Sequence, residues 1–162
     1  MRLIELTLPD ADRTAGLIAA FRVTLNALRG IASAPDIAAA REEFLEYLNA
    51  GFPMFGAEED GGLIGYIVCR IDAPCLWVES IYVRGEHRRR GAATMLFEKA
   101  EALARSLGEE TVFNYVHPNN DRMIAFLRSK GYTVLNLIEI RKPYAGEKPA
   151  SKIIVGENEF DY

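Results

Sequence analysis

Apolar residues recur along the chain with two different periods, and the switches between them mark out its elements. Residues 2–8 alternate polar and apolar as a half-buried strand does, and Pro9-Asp10-Ala11-Asp12 supplies turn and helix-start chemistry. Leu17, Ile18, Phe21, Leu25 and Leu28 then repeat at helical spacing up to Gly30. A second helix runs from about Asp36, with Ile37, Ala40, Phe44 and Leu48 inward and Arg41, Glu42, Glu43 and Glu46 outward, and stops at Gly51. Residues 52–58 and 63–71 are apolar or β-branched runs joined by Glu59-Asp60-Gly61-Gly62, where glycine tolerates the positive φ of a hairpin turn. A third run, 76–83, is apolar apart from Glu79 and Ser80, as expected of a central strand covered on both faces.

After a basic turn, residues 92–107 read as a helix, with Ala93, Leu96, Ala100, Leu103 and Leu107 on one side, Glu98, Glu101 and Arg105 on the other, and Gly108 as its stop. A strand at 111–116, a loop and cap at His117-Pro118-Asn119-Asn120, a helix at 121–129 ended by Gly131 and a strand at about 133–140 follow. The predicted order is β, αα, βββ, α, β, α, β. The tail at 142–162 carries Pro143, Gly146, Pro149 and Gly156, and predicts a loop, a short edge strand over 152–155 and an irregular end. Nothing there marks a second domain, so residues 1–162 are expected to form one.

Composition narrows the class. The 162 residues are 49% hydrophobic and 26% charged, as in one globular domain, and the net charge of -4 argues against general affinity for nucleic acid or an anionic membrane. The N-terminal residues lack a secretory pattern and no apolar run is long enough to span a bilayer, which points to a cytoplasmic protein. Two cysteines and two histidines give no metal-binding spacing. In a reducing compartment Cys69 and Cys75 are better read as free thiols than as a bridge.

The informative stretch is the run from Leu76 to Ala93, a buried strand passing through Arg84-Gly85-Glu86-His87-Arg88-Arg89-Arg90 into the glycine and alanines that open a helix. A helix N-terminus presents unpaired N–H groups and partial positive charge, and Gly91, Ala92 and Ala93 let an anion approach the backbone. A pyrophosphate fits such a site. By itself a basic run is more often a solvated turn, but a nucleic-acid patch needs neither the strand before it nor the glycine after it. No Gly-Lys-Ser/Thr follows, so it is not a nucleotide P-loop.

Arg88-x-x-Gly91-x-Ala93, between a strand and a long helix, resembles the GNAT superfamily of N-acetyltransferases, whose signature is Arg/Gln-x-x-Gly-x-Gly/Ala. Downstream, Asn120, Ile124, Leu127 and Gly131-Tyr132 stand where that family often has an asparagine, an aromatic residue and Gly-Phe. With the element order, the resemblance covers nearly the whole chain. It implies an α/β (α+β) fold around a mixed, mostly antiparallel central sheet, whose fourth and fifth strands, 76–83 and 111–116, splay apart to hold acetyl-coenzyme A as co-substrate, with no metal. By the same resemblance, Ile81 and Val83 offer backbone groups to the pantetheine and thioester. Arg88, Arg89, Arg90, Gly91, Ala92 and Ala93 hold the pyrophosphate, and Asn120 contacts the pantetheine arm.

The implied reaction is transfer of an acetyl group to a primary amine of a small molecule, a peptide or a protein. An alkylamine with a pKa of about 10.4 attacks a thioester only after losing a proton, so a base is required. Glu79, on the strand that leads into the turn, is the candidate, with burial as the means of raising its pKa; the competing reading pairs it with an arginine. A main-chain N–H near Val83 would stabilise the oxyanion. Leu127 aligns with the tyrosine that the family often uses to protonate the departing thiolate, with Tyr115, Tyr132 and His117 as substitutes. Trp77 and Tyr82 read as core, and Phe21, Asn26, Arg29 and Tyr144 are weak candidates for the acceptor pocket. The alternative function is a catalytically weak acyl-coenzyme A-binding or regulatory module. The 152–155 strand could also pair across a homodimer.

Overall fold

Asp60 and Gly61 both take positive φ, 51° and 79°, so the Asp-Gly pair makes the tight left-handed turn that joins β2 (Met54–Glu59) to β3 (Gly62–Asp72). That hairpin is the middle of a five-stranded sheet. β1 (Arg2–Glu5) pairs antiparallel with β2, β3 pairs antiparallel with β4 (Cys75–Val83), and β5 (Phe113–Asn114) lies parallel to β4, giving the order β1-β2-β3-β4-β5. The sheet is therefore mixed and mostly antiparallel, as expected.

The computed structural model describes residues 1–149 and 151–162, which form two compact units, Met1–Phe126 and Leu127–Tyr162. In the first, α1 (Ala11–Leu28) and α2 (Ile37–Asn49) cover one face of the sheet, burying Leu17, Ile18 and Phe44 with Met54, Tyr66 and Val68 of β2 and β3. Successive strand residues point to opposite faces, so Phe55, next to Met54, meets α3 (Ala92–Ser106), where the Lys99 ammonium lies 4.8 Å from its ring. α3 buries Ala92, Leu96, Phe97, Ala100 and Ala104. Asp36 caps α2 by accepting from the Ala39 N–H at 2.9 Å, which leaves Ile37 in the first turn 51% exposed rather than inward. Glu58, buried in β2, binds Arg2 of β1 at 2.5 Å and Arg13 of α1 at 2.6 Å, fastening the first strand and first helix to the sheet.

The predicted element order holds as far as α4 (Asp121–Ser129), with β5 shorter than the predicted 111–116. The expected strand at 133–140 does not form: Val134, Leu135, Leu137 and Ile140 are each at least two-thirds exposed. Alternation records which face a strand would bury, not whether a ladder partner stands beside it. The last strands of the chain instead lie in the tail, where β6 (Lys152–Val155) pairs antiparallel with β7 (Asn158–Asp161) across Gly156 at φ 62°. The predicted edge strand is thus one arm of a hairpin, and the irregular end is its other arm.

Candidate active site

The parallel ladder between β4 and β5 consists of Trp77 opposite Phe113 and Val78 opposite Asn114, whereas β4 continues to Val83. From Glu79 onward the two strands are apart. On its other edge β4 stays paired with β3, except that Val68 faces Ser80 and Cys69 faces Val78, so Glu79 is the extra residue of a β-bulge. The Arg84 N–H donates to Ile64 O at 2.9 Å, and main-chain groups alternate in direction along a strand. Residues 82 and 80 therefore address β3, while the N–H and C=O groups of Ile81 and Val83 face the opening. Val83 O is engaged from that side by Arg88 Nε at 2.9 Å.

The turn after β4 contains a 3-10 turn at Gly85–His87, then Arg88 in an extended conformation, Arg89 at φ 61° and Gly91 at φ 90° as the N-cap of α3. A non-glycine residue at positive φ is strained, and here it turns the chain from the extended Arg88 toward the start of α3. Gly91 supplies no side-chain oxygen to α3 and no side-chain cap bond is made, so the first-turn donors that a serine or aspartate would occupy are left for a ligand. The arginine side chains do other work. Arg88 closes the turn onto Val83 O and lies 5.5 Å from the Tyr82 ring centre, while Arg90 reaches Glu59 at 3.2 Å, beside His87 at 3.3 Å from the same carboxylate. Arg89 is exposed. The uncapped helix start, the small residues and the open strand edge are chemically compatible with a diphosphate carrying a long arm.

A separate hollow of about 640 Å³ is lined by Asp12, Glu59, Asp60, Glu86 and neighbouring residues. Its carboxylates outnumber Arg13 and Arg84, so it does not suit an anionic cofactor.

Glu79 is exposed, not buried: the bulge turns it outward, with Arg70 Nε 3.9 Å from its Oε2. Arg70 also lies 5.7 Å from the Trp77 ring centre, and Trp77 is half-buried against Phe113 and Tyr115. On the α1–α2 side is a polar cluster that hydrophobic periodicity did not reveal. Arg22 donates to both oxygens of Glu43, at 2.8 and 2.6 Å, and Tyr47 donates to Glu43 Oε1 at 2.6 Å. Burial, then the bond to Glu43, pushes the Tyr47 hydroxyl up from its ordinary range. Burial pushes the Tyr66 hydroxyl up, with the neighbouring Ser80 side chain acting in the opposite direction. The i,i+4 spacing of Glu43 and Tyr47 was the one available sequence signal for that pair.

Asn120 serves here as a helix cap, accepting from the Met123 N–H at 3.2 Å. His117 Nδ1 accepts from the Asn119 N–H, and burial, followed by the charge of Arg29, lowers its pKa. Phe21 packs edge-on to Tyr66 and Tyr82, and Asn26 donates to Ser33. In the second unit, Tyr132 donates its N–H to Leu127 O and Tyr144 lies under Arg141; Leu127 is buried. Among the described residues no cluster could hold a metal ion, and no helix is long and apolar enough to cross a membrane.

A family model described as the acetyltransferase (GNAT) family matches residues 22–132, more than half of the chain. No curated protein matches by sequence. Among solved structures, a ribosomal-protein-alanine N-acetyltransferase from Brucella melitensis biovar Abortus 2308 is similar at 21% identity and TM-score 0.69, covering 88% of this chain and 100% of that one. An aminoglycoside antibiotic 6'-N-acetyltransferase from Acinetobacter haemolyticus aligns at 20% identity and TM-score 0.67, over 88% and 98%. A PaiA N-acetyltransferase from Thermoplasma acidophilum, solved in complex with coenzyme A, aligns at 20% and 0.66, over 80% and 87%. At these identities the likeness speaks for the fold.

Proposed function

The chain belongs to the GNAT acetyltransferase family and is an acyltransferase, and from that premise we propose that it moves an acetyl group from acetyl-coenzyme A to a primary amine of a small molecule, a peptide or a protein. One observation carries this: β4 runs on from Glu79 to Val83 without β5 beside it, straight into a helix start that lacks a side-chain cap. The structural likeness to a coenzyme A complex supports the same cofactor. The family match crosses the boundary between the two compact units, which supports reading residues 1–162 as one domain, and we assign it to the cytoplasm.

Acetyl-coenzyme A, when bound, supplies the activated acyl thioester. The N–H groups from Arg89 to Ala93 hold its diphosphate, Arg88 braces that turn against the strand, and Ile81 and Val83 guide the arm along the gap. Asn120 lends its side chain to the arm while capping α4. A donor from the open edge of β4 steadies the negative charge that develops on the thioester oxygen, a contribution of about 100-fold or more in rate. Glu79, at the start of the gap and open to water, takes the proton of the acceptor ammonium directly or through one water. The departing thiolate, with a pKa of about 8.5, needs little help near neutral pH, so a buried leucine at position 127 is compatible with turnover.

The test is thiol release with acetyl-coenzyme A and a panel of amines, together with calorimetric titration of coenzyme A. Glu79→Gln should retain cofactor binding and lose about 100-fold in kcat at pH 7, the deficit narrowing above about pH 9 as the amine loses its proton unaided. Binding without turnover for any amine would favour the regulatory-module reading that Leu127 suggests. Absence of coenzyme A uptake would end both.

A further inference from the structure

Where the β4–β5 ladder ends, three aromatic side chains lie together. Tyr115 stacks on Trp77 with ring centres 4.7 Å apart and planes 13° from parallel, and Phe113 lies against the same indole at 4.9 Å. Tyr115 nonetheless keeps 64% of its surface exposed. The open ring surface at the closed end of the gap is therefore that of Tyr115, while the Trp77 indole lies against Tyr115, Phe113 and Arg70. Beside it stands Glu79, one strand pair along β4, with Arg70 touching both Trp77 and Glu79 and so holding them on one side of the sheet.

The charges there are incomplete. The Arg70–Glu79 separation of 3.9 Å is too long for a hydrogen bond, and among the described residues the buried Arg70 Nε has no hydrogen-bond partner. Glu79 therefore has capacity for a second cation. Arg70 is shared with Asp72, whose carboxylate lies 3.4 Å from it. A carboxylate and the faces of electron-rich rings both favour an ammonium group, and a ring face adds stacking for a flat partner.

We propose that the ledge of Trp77, Phe113 and Tyr115, with Glu79 at its rim, is the acceptor subsite, and that it selects a primary amine carried on a planar aromatic body. The ring lies on the ledge and its short alkyl arm brings the amine to Glu79 at the mouth of the gap. This rests on the acetyltransferase reading for its chemistry, but it is a claim about binding that stands or falls separately.

Trp77 is the single tryptophan of the chain, so its emission reports on the ledge directly. Titration of the full chain, saturated with coenzyme A, with 2-phenylethylamine or tryptophan-free peptides bearing an N-terminal phenylalanine should shift or quench Trp77 emission to saturation, whereas n-hexylamine and spermidine should not. In thiol-release assays 2-phenylethylamine should show a KM about tenfold below that of n-hexylamine. Tyr115→Ala should raise the KM for the aromatic amine about five- to tenfold with kcat changed less than about threefold, and Tyr115→Phe should restore it. Equal KM values for aromatic and alkyl amines, no saturable emission change, or a Tyr115→Ala effect confined to kcat would overturn the proposal. A chain that binds coenzyme A and shows the emission change but releases no thiol would refute the acetyltransferase reading and leave the subsite standing.

Discussion

Gly65 stands opposite Val83 in the β3–β4 ladder, and a Cβ placed on it would lie 2.7 Å from Tyr82 O, 3.0 Å from Val83 Cγ2 and 3.3 Å from Val83 Cα. The first contact falls well short of the 3.4 Å at which ordinary van der Waals contact begins, and it is with backbone, which cannot swing aside as a side-chain tip would. Gly65→Ala must therefore push β4 outward at residues 82–83, where the strand borders the gap and hands over to the cofactor turn. Overpacking of this kind costs about 1–3 kcal/mol, which for a chain of this size lowers Tm by roughly 3–10 °C. If β4 carries the pantetheine arm as proposed, displacing one main-chain donor or acceptor loses a hydrogen bond worth about 0.5–1.5 kcal/mol, and coenzyme A should bind about three- to tenfold more weakly. Calorimetric titration and thermal melting read the two effects. Gly16→Ala is the control: it lies within α1 with nothing within 4 Å of the added carbon, and should raise stability by about 0.5–1 kcal/mol without touching cofactor affinity. Native coenzyme A affinity in Gly65→Ala, at a lowered Tm, would mean that the edge of β4 near Val83 does not contact the cofactor.

Acid sensitivity should trace to Glu58. Its bonds to Arg13 and Arg2 hold its carboxyl below the ordinary 4.5, so the stability they give is complete above that pH and is lost as pH falls through the lower folded-state value. Glu58→Gln should lower Tm at pH 7 and flatten its decline below about pH 4.5; parallel acid limbs for the two proteins would refute this. Cys69 is buried, and burial pushes its thiol up to about 12. A chromogenic disulfide reagent at pH 8 should therefore register only the half-buried Cys75 in the native chain and both thiols after denaturation. Rapid reaction of two thiols in the native state would count against the packing around β3.

Much of the scaffold was legible in the sequence because its signals are local. Asp60-Gly61 specified its own turn, Asp36 its own cap, and Gly91 the left-handed cap of α3. Once that turn was placed, the runs 52–58 and 63–71 became neighbours in the sheet. The pattern failed where structure depends on a partner that the segment itself does not specify: 133–140 is rich in apolar and β-branched residues, as β3 is, yet joins no ladder, and nothing in Asn158–Asp161 announces that it will pair with Lys152–Val155.

The same division runs through the candidate site. The turn at 88–93 is a contiguous segment, so it could be singled out directly from the sequence, and the structure adds that Arg88 and Arg90 reach Val83 and Glu59. Glu79 could be singled out as the polar exception in an apolar strand, but its exposure could not, because a bulge is a property of two strands and shows only in their mismatched register. Arg70, Trp77 and Phe113 come from three strands and Tyr115 from the residue after β5, and each alone reads as ordinary strand composition. Their meeting beside Glu79 follows from where the β4–β5 ladder stops, which is also what opens the gap for the cofactor arm. One interruption in strand pairing thus underlies both halves of the proposed site: beyond it the outer edge of β4 has no ladder partner in β5, and at its closed end Tyr115 is stacked on Trp77 yet exposed.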